Sequence, residues 1–447
     1  MHISLSDHFN YRRLLRFTLP SIIMMIFTSV YGVVDGLFVS NFVGKTPFAA
    51  INLIWPFLMI LGCGGFMIGT GGSALVSKTM GEGDGDRANR YFSLLVLTTV
   101  LLGVAITVPG FFLLEPVAIL LGADEAMLPY CVTYGRIILT AQTAFMLQSV
   151  FQSFLITAER PTLGLVVTVA AGVTNMVLDL LFIAVFRWGI VGAAAATAIS
   201  QAVGGLIPLI YFLLPNKSPL RLVLPGLRVG HSLRVIGRVS VNGSSELMTN
   251  ISMSAVSMLY NYQLMRLAGE DGIAAYGVMM YVSFIFVAVF IGFAVGSAPI
   301  VGFHYGAGNK AELRSLLRKS LLLILGSGVV MTALSVLLSS PLSEAFVGYD
   351  RGLCELTRRG FFLYSFSFLF AGFGILGSSF FTALGNGVIS ACISFLRTLV
   401  FQVAAVLLLP LILDTDGIWI SVTAAELLAT AVSLAFLAGQ RKRYGYF

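Results

Sequence analysis

Apolar residues run along this chain in stretches of about 20 or more, broken by short groups of glycine, proline and charge. A run of that length, coiled as a helix, crosses the ~30 Å hydrocarbon layer of a bilayer. The pattern predicts twelve spans, near 14–39, 47–77, 91–113, 129–157, 162–186, 189–214, 233–259, 272–303, 316–340, 356–384, 388–413 and 417–439. Twelve is even, so both ends of the chain are expected on one side. The opening MHISLSDHFNYRRLLRF lacks the apolar core and small-residue cleavage site of a signal peptide, and its apolar run reads as a retained membrane helix.

The most polar segment between spans is LLPNKSPLRLVLPGLRVGHSLR, at 213–234, with six spans before it and six after. This divides the chain into an N-terminal six-helix lobe (1–214), an inter-lobe linker (215–232) and a C-terminal six-helix lobe (233–447). Equal halves with an even number of spans share one orientation, related by an axis along the membrane normal. A gapless match at an offset of 225 pairs Gly71 with Gly296, and Gly81 and Gly83 with Gly306 and Gly308. Thr157 and Ala158 match Thr382 and Ala383 at the same offset. Matches in register at helix ends point to an internal duplication. The expected fold is an all-α integral membrane protein of twelve helices in two pseudo-symmetric lobes.

Composition supports the membrane reading, since 57% of the residues are hydrophobic and 11% charged, against roughly 25% charged in soluble domains. Soluble enzymes, nucleic-acid binders and secreted disulfide scaffolds are excluded on that ground. The 47 glycines are spread through the apolar runs instead of collected in linkers, as close helix contacts in lipid require. Cys63, Cys131, Cys354 and Cys392 are far apart and form no CxxC, so neither a disulfide framework nor a metal cluster is implied. The net charge of +7 sorts by side. With the N-terminus placed inside, 19 of the 27 basic residues fall in inner segments, seven at outer positions, and Arg397 within a span. Basic residues collect on the cytoplasmic side, so both termini are expected in the cytoplasm. The positive charge marks topology and implies no nucleic-acid partner.

Four acids fall inside predicted spans: Asp35, Asp179, Glu246 and Glu426. An ionised group there costs at least ~2.5–3.5 kcal/mol at the helix centre, so each requires a partner, a wet cavity or a proton. Asp35 lies toward the outer end of span 1 with Tyr31 one turn away, and Asp179 in the outer half of span 5 with Asn175 on its face. Thr197 of span 6 and Tyr134 of span 4 reach the same depth. Two carboxylates in low dielectric without a nearby Lys or Arg hold a proton or a cation between them, which is the chemistry of a coupling-ion site for H+ or for Na+ at Asp35, Asn175, Asp179 and Thr197. Each polar group taken alone also reads as hydrogen-bonded helix glue. Glu246 lies at mid-bilayer of span 7 within NGSSELMTNISMS, as a substrate or ion ligand or as part of a satisfied network. Arg397 and Glu426 are expected to form a neutralised pair. Pro20, in the inner part of span 1, breaks the backbone ladder and is expected to make that helix bendable. The glycine clusters at 62–72 and 304–309 lack the GKS/T element of a phosphate loop, and no Ser/His/Asp, HExxH or nucleotide motif appears. No enzyme activity and no cofactor is expected.

These motifs resemble the multidrug and toxic compound extrusion (MATE) family of cation-coupled antiporters along essentially the whole chain. The resemblance rests on YGVVDGLFVSNFVG (31–44), GGSALVSKTMGEGD (71–84), NMVLDLLFI (175–183), WGIVGAAAATAIS (188–200) and HYGAGN (304–309). It implies that Asp35, Asn175, Asp179, Thr197 and Tyr134 form a cation-responsive network in the N-terminal lobe, with Pro20 as the bending proline of helix 1. Span 10 carries no acid where some branches of the family have an aspartate, while Glu246 resembles the helix 7 glutamate of those branches. The resemblance implies a monomeric exporter of cationic or amphiphilic small molecules in the cytoplasmic membrane. It would alternate by rocking two lobes around a cavity lined by Asp35, Glu246 and Tyr31. Rival readings are a lipid-linked oligosaccharide flippase of the same superfamily, which favours basic cavity residues, and a channel or sensor.

Overall fold

The structure, a computed structural model, describes residues 3–226 and 229–446, without the side chains of Leu37, Ser40 and Lys45. Arg228, counted above among the inner bases, lies outside the described residues, as does the side chain of Lys45. The elements are α1 (Tyr11–Phe42), α2 (Lys45–Gly81), α3 (Gly85–Leu120), α4 (Leu128–Thr140), α5 (Gln142–Thr157), α6 (Pro161–Asp179), a π-helical stretch Leu180–Val185, and α7 (Gly189–Leu213). They continue as α8 (Val229–Asn242), α9 (Ser244–Gly306), α10 (Lys310–Val347), α11 (Arg351–Ser365), α12 (Phe368–Ala383), α13 (Gly387–Phe395), a second π-helical stretch Leu396–Val400, α14 (Phe401–Leu408) and α15 (Pro410–Tyr444).

Among the described residues nine helices are long and apolar enough to cross a membrane, or ten when α11 and α12, bent by 47°, count as one span. Two features of the geometry bear on the predicted twelve. The 63 residues of α9 would reach about 95 Å as one rod, three times the hydrocarbon thickness. Instead Gly269, at φ 63° and ψ −151°, reverses the chain, and Tyr260 stacks on Tyr276 with ring centroids 5.4 Å apart. Helices α4 and α5, separated by Ala141 alone, together fill the predicted fourth span. Asp414, at φ 49° and ψ −132°, turns the start of α15 so that the last span begins beyond it. The seventh run, predicted as one span from 233, breaks at Gly243 into α8 and the first arm of α9. Glu246, expected at mid-bilayer, therefore sits in the first turn after that break.

The duplication shows at helix ends. Gly83 and Gly308 take φ 84° and 68°, the left-handed conformation that glycine alone adopts without strain. The next residues, Asp84 and Asn309, cap α3 and α10 by accepting the amides of Arg87 and Glu312.

The two lobes meet at the end of the bundle that carries both termini, and they meet backbone to backbone. A Cβ on Gly81 would lie 2.0 Å from the Phe303 carbonyl oxygen, and one on Gly306 2.0 Å from that of Lys78. Gly243 stands in the same relation to the Met67 carbonyl at 2.0 Å, and Gly71 to that of Val239 at 2.3 Å. Small residues thus let α2 of one lobe lie directly on α8 and α9 of the other, the packing that replaces the hydrophobic effect between helices in lipid.

The segment before α1 straps this face. Glu159, after α5, accepts Ser4 Oγ at 2.6 Å and the Leu5 amide at 2.7 Å. Glu312 of α10 accepts the Phe9 amide at 2.8 Å and contacts His8 Nδ1 at 2.6 Å, while Lys319 Nζ donates to the Phe9 carbonyl. Leu5 and Phe9 are fully buried between them. Hydrogen bonds to a charged group contribute about 1.5–3 kcal/mol each, so Glu312→Ala is expected to speed hydrogen exchange of the Phe9 amide at least tenfold, read by exchange mass spectrometry. Unchanged exchange would mean that the strap is held elsewhere.

Candidate functional site

Helix α6 buries one stripe: Gly164, Thr168, Ala171, Gly172, Asn175 and Asp179, spaced at the three- and four-residue intervals of a single helix face. Gly172 sets the approach to α1. A Cβ there would lie 2.5 Å from Phe27 Cε1 and 3.0 Å from Tyr31 Cδ1, so the bare backbone lets the helices close and brings Asn175 and Asp179 against Asp35. Helix α7 begins with buried small residues, Gly192, Ala193, Ala194 and Ala196, and this carries Thr197 inward to Tyr134 of α4.

The five residues singled out from the sequence meet in one cluster. Asp179 and Asn175 lie against the Asp35 carboxylate, Thr197 against the Tyr134 hydroxyl, and Tyr134 beside both carboxylates. Asp179 is fully buried, and Asn175 and Tyr134 are each 2% exposed. Asp35 Oδ1, both Asp179 oxygens and Asn175 Nδ2 have no hydrogen-bond partner among the described residues. Two unit charges ~4 Å apart repel by about 4 kcal/mol at an effective dielectric of 20. Two carboxylates placed side by side in this setting, with three of their four oxygens unanswered, call for a proton or a small cation. Among the described residues no group of three His, Cys, Asp or Glu lies close enough together to hold a metal ion. The α-helix ends at Asp179 and continues as a π-helical stretch, a widened turn common at functional sites. Pro20 lies within α1, which runs through it unbroken.

A second polar region is a cavity of about 370 Å³ between the lobes, lined largely by the C-terminal lobe and by Met25, Thr28, Thr70 and Ser153 of the other. Glu246 lines it; Asp35 and Tyr31 do not. The Glu246 carboxylate has no ion-pair or hydrogen-bond partner among the described residues. Arg397 and Glu426 do pair, with Nε to Oε2 at 2.8 Å and Nη2 to Oε1 at 2.9 Å.

Absent from the sequence reading is a neutral counterpart in the second lobe. The Tyr260 hydroxyl donates to Gln402 Oε1 and also contacts Ser421 Oγ, each at 2.7 Å, and Gln263 Nε2 donates to the Val406 carbonyl at 3.0 Å. Tyr260 stands 225 residues after Asp35. Applying the repeat offset to Asp35 would have found it. The second lobe thus holds hydroxyls and amides where the first holds carboxylates.

The chain matches the MatE family model over residues 20–181 and again over 247–407. It is 23% identical over 368 residues to the multidrug export protein MepA of Staphylococcus saprophyticus, covering 81% of this chain and 80% of that one. It is 21% identical over 427 residues to MepA of Staphylococcus aureus, covering 95% and 93%. A solved structure described as the outward-facing conformation of a multidrug resistance MATE family transporter superposes with a TM-score of 0.92, at 21% identity and 98% coverage of both chains. With the family model matching most of the sequence, and both matches falling on the lobes just described, this multi-pass membrane protein belongs to the MatE family of transporters.

Proposed function

We propose that the chain is a secondary active exporter of cationic or amphiphilic small molecules, driven by inward movement of H+ or Na+. The two lobes, 1–214 and 233–447 about the linker 215–232, rock about the central cavity, with both termini in the cytoplasm as the basic residues indicate. Family membership and the description of the relatives as multidrug export proteins support this reading. The observation that carries it is the first-lobe cluster, in which three carboxylate oxygens of Asp35 and Asp179 are buried without partners.

In this scheme the substrate enters the cavity from the cytoplasm or inner leaflet, its cation facing Glu246 and its apolar body against Met25, Met253, Met280 and Phe284. An ion arriving from outside neutralises Asp35 and Asp179, α1 bends at Pro20, and the substrate is released outward. An exported monovalent cation carries outward the same charge that one H+ or Na+ brings in, so one-for-one exchange draws on the ion's concentration gradient, about 1.4 kcal/mol and a ~10-fold substrate gradient for each tenfold ion gradient. No nucleotide is required.

The test is efflux of a fluorescent cation from proteoliposomes under separate pH and Na+ gradients; export under neither gradient would overturn the proposal. Glu246→Gln removes the one unpaired charge lining the cavity among the described residues and is expected to weaken binding of that cation about tenfold by fluorescence titration, in line with one lost charge-assisted contact. Unaltered binding would remove Glu246 from the substrate site.

A further inference from the structure

The export scheme leaves the Arg397 and Glu426 pair of the central cavity unused, although three elements cooperate to place the Arg397 guanidinium. The π-helical stretch Leu396–Val400 widens span 11 around this residue, a distortion common at functional sites. On α12, Gly374 clears its path: a Cβ there would lie 2.6 Å from Arg397 Cδ and 3.1 Å from Nε. Glu426 of α15 then takes Nε and Nη2 at 2.8 and 2.9 Å, which fixes the plane of the group.

That grip occupies one edge of the guanidinium. A guanidinium carries five N–H donors in a rigid fork, so Nη1 and the second hydrogen of Nη2 form another edge able to hold a carboxylate in the same two-point manner. Nη1 has no partner among the described residues, and the Arg397 side chain lines the cavity. If Arg397 served only to hold helices together, an apolar pair of similar volume would do as well or better, since buried ion pairs contribute little net stability.

We propose that the free edge of Arg397 is an anion-binding subsite, and that with Glu246 it makes the cavity select zwitterionic amphiphiles: an apolar body bearing both a protonated amine and a carboxylate. The proposal rests on reading Glu246 as the cation contact of the exported molecule. Charge balance in the cavity supports it. The lining carries three charged side chains among the described residues, Glu246 alone and Arg397 with Glu426. A plain cation answers Glu246 and leaves the arginine edge unanswered, whereas a zwitterion answers both. The volume of about 370 Å³ lies within the range of small-molecule sites.

Two probes with one aromatic body separate the contributions: a rhodamine ethyl ester, which is a cation, and the corresponding rhodamine free acid, which is a zwitterion. Their Kd values are measured by fluorescence anisotropy on the full chain in lipid nanodiscs, and the quantity read is the ratio of ester Kd to free-acid Kd. In the double variant Arg397→Gln with Glu426→Gln, which leaves no lone buried charge, the ratio is expected to fall at least tenfold. Arg397→Lys, which retains the ion pair and loses the fork, is expected to lower it at least threefold. An unchanged ratio in either variant with the ester still bound overturns the subsite. Glu246→Gln tests the underlying reading separately: it is expected to weaken both probes alike, and if it weakens neither, the cation contact fails while the arginine result still decides the anion contact.

Discussion

Replacing Asp179 by asparagine is expected to abolish ion-driven export while the bundle still inserts and folds. Asp179 is fully buried, neither of its oxygens has a hydrogen-bond partner among the described residues, and its neighbours are a second carboxylate and an amide. The amide has nearly the shape of the carboxylate, so packing along the α6 stripe is kept. It neither binds a proton at these pH values nor offers a negative charge to a cation. Coupling is lost with it, and in proteoliposomes the steady gradient of the exported probe should fall from ~10-fold per tenfold ion gradient toward unity. Stability should move the other way. Removing a buried, unpaired charge relieves repulsion within the cluster, so the thermal midpoint is expected to rise, as is usual where a functional site stores strain. Asp35→Asn should show the same pair of effects. If both variants export like the parent under pH and Na+ gradients alike, the cluster is helix glue.

Much of the site was legible because lipid makes polar residues informative. In a water-soluble chain an Asp at the end of an apolar run is ordinary; inside a span it has to be answered. Depth along each helix was enough to gather Asp35, Asn175, Asp179, Thr197 and Tyr134, which come from four helices and meet in the structure. Hydropathy alone misplaced the local breaks. The run from 233 is continuous in character, yet Gly243 is pressed against the Met67 carbonyl of the opposite lobe, and that contact between lobes sets the kink and the position of Glu246. The strap before α1 was invisible for a related reason. Ser4, Leu5, His8 and Phe9 carry no periodic signal, and their role appears only when Glu159 and Glu312 converge on them. The orientation of Arg397 depends likewise on Gly374, whose meaning lies in what a side chain there would strike.

The contact between lobes carries the other large expectation. Gly81→Ala and Gly306→Ala should each drive the transporter out of the conformation described here, opening the termini face. The added methyl would stand 2.0 Å from a backbone carbonyl oxygen of the opposite lobe, where no side chain can rotate away, so α2 and α9 have to separate. Overpacking of this kind costs about 1–3 kcal/mol. In a two-state transporter the cost falls on the state that makes the contact, giving a roughly 5- to 150-fold change in its population. Spin labels at Asp86 and Ala311, both exposed beside this face, with the native cysteines replaced, would report the change as a longer distance across it. Gly326→Ala is the control, since nothing lies within 4 Å of a Cβ at that position in α10. Export should fall at least tenfold in the first two variants and hold in the third, because a transporter that cannot close one face cannot complete its cycle. Should Gly81→Ala leave both the distance and the export rate unchanged, the backbone contact would not be the closure of that face, and the glycines repeated at an offset of 225 would serve only to end helices.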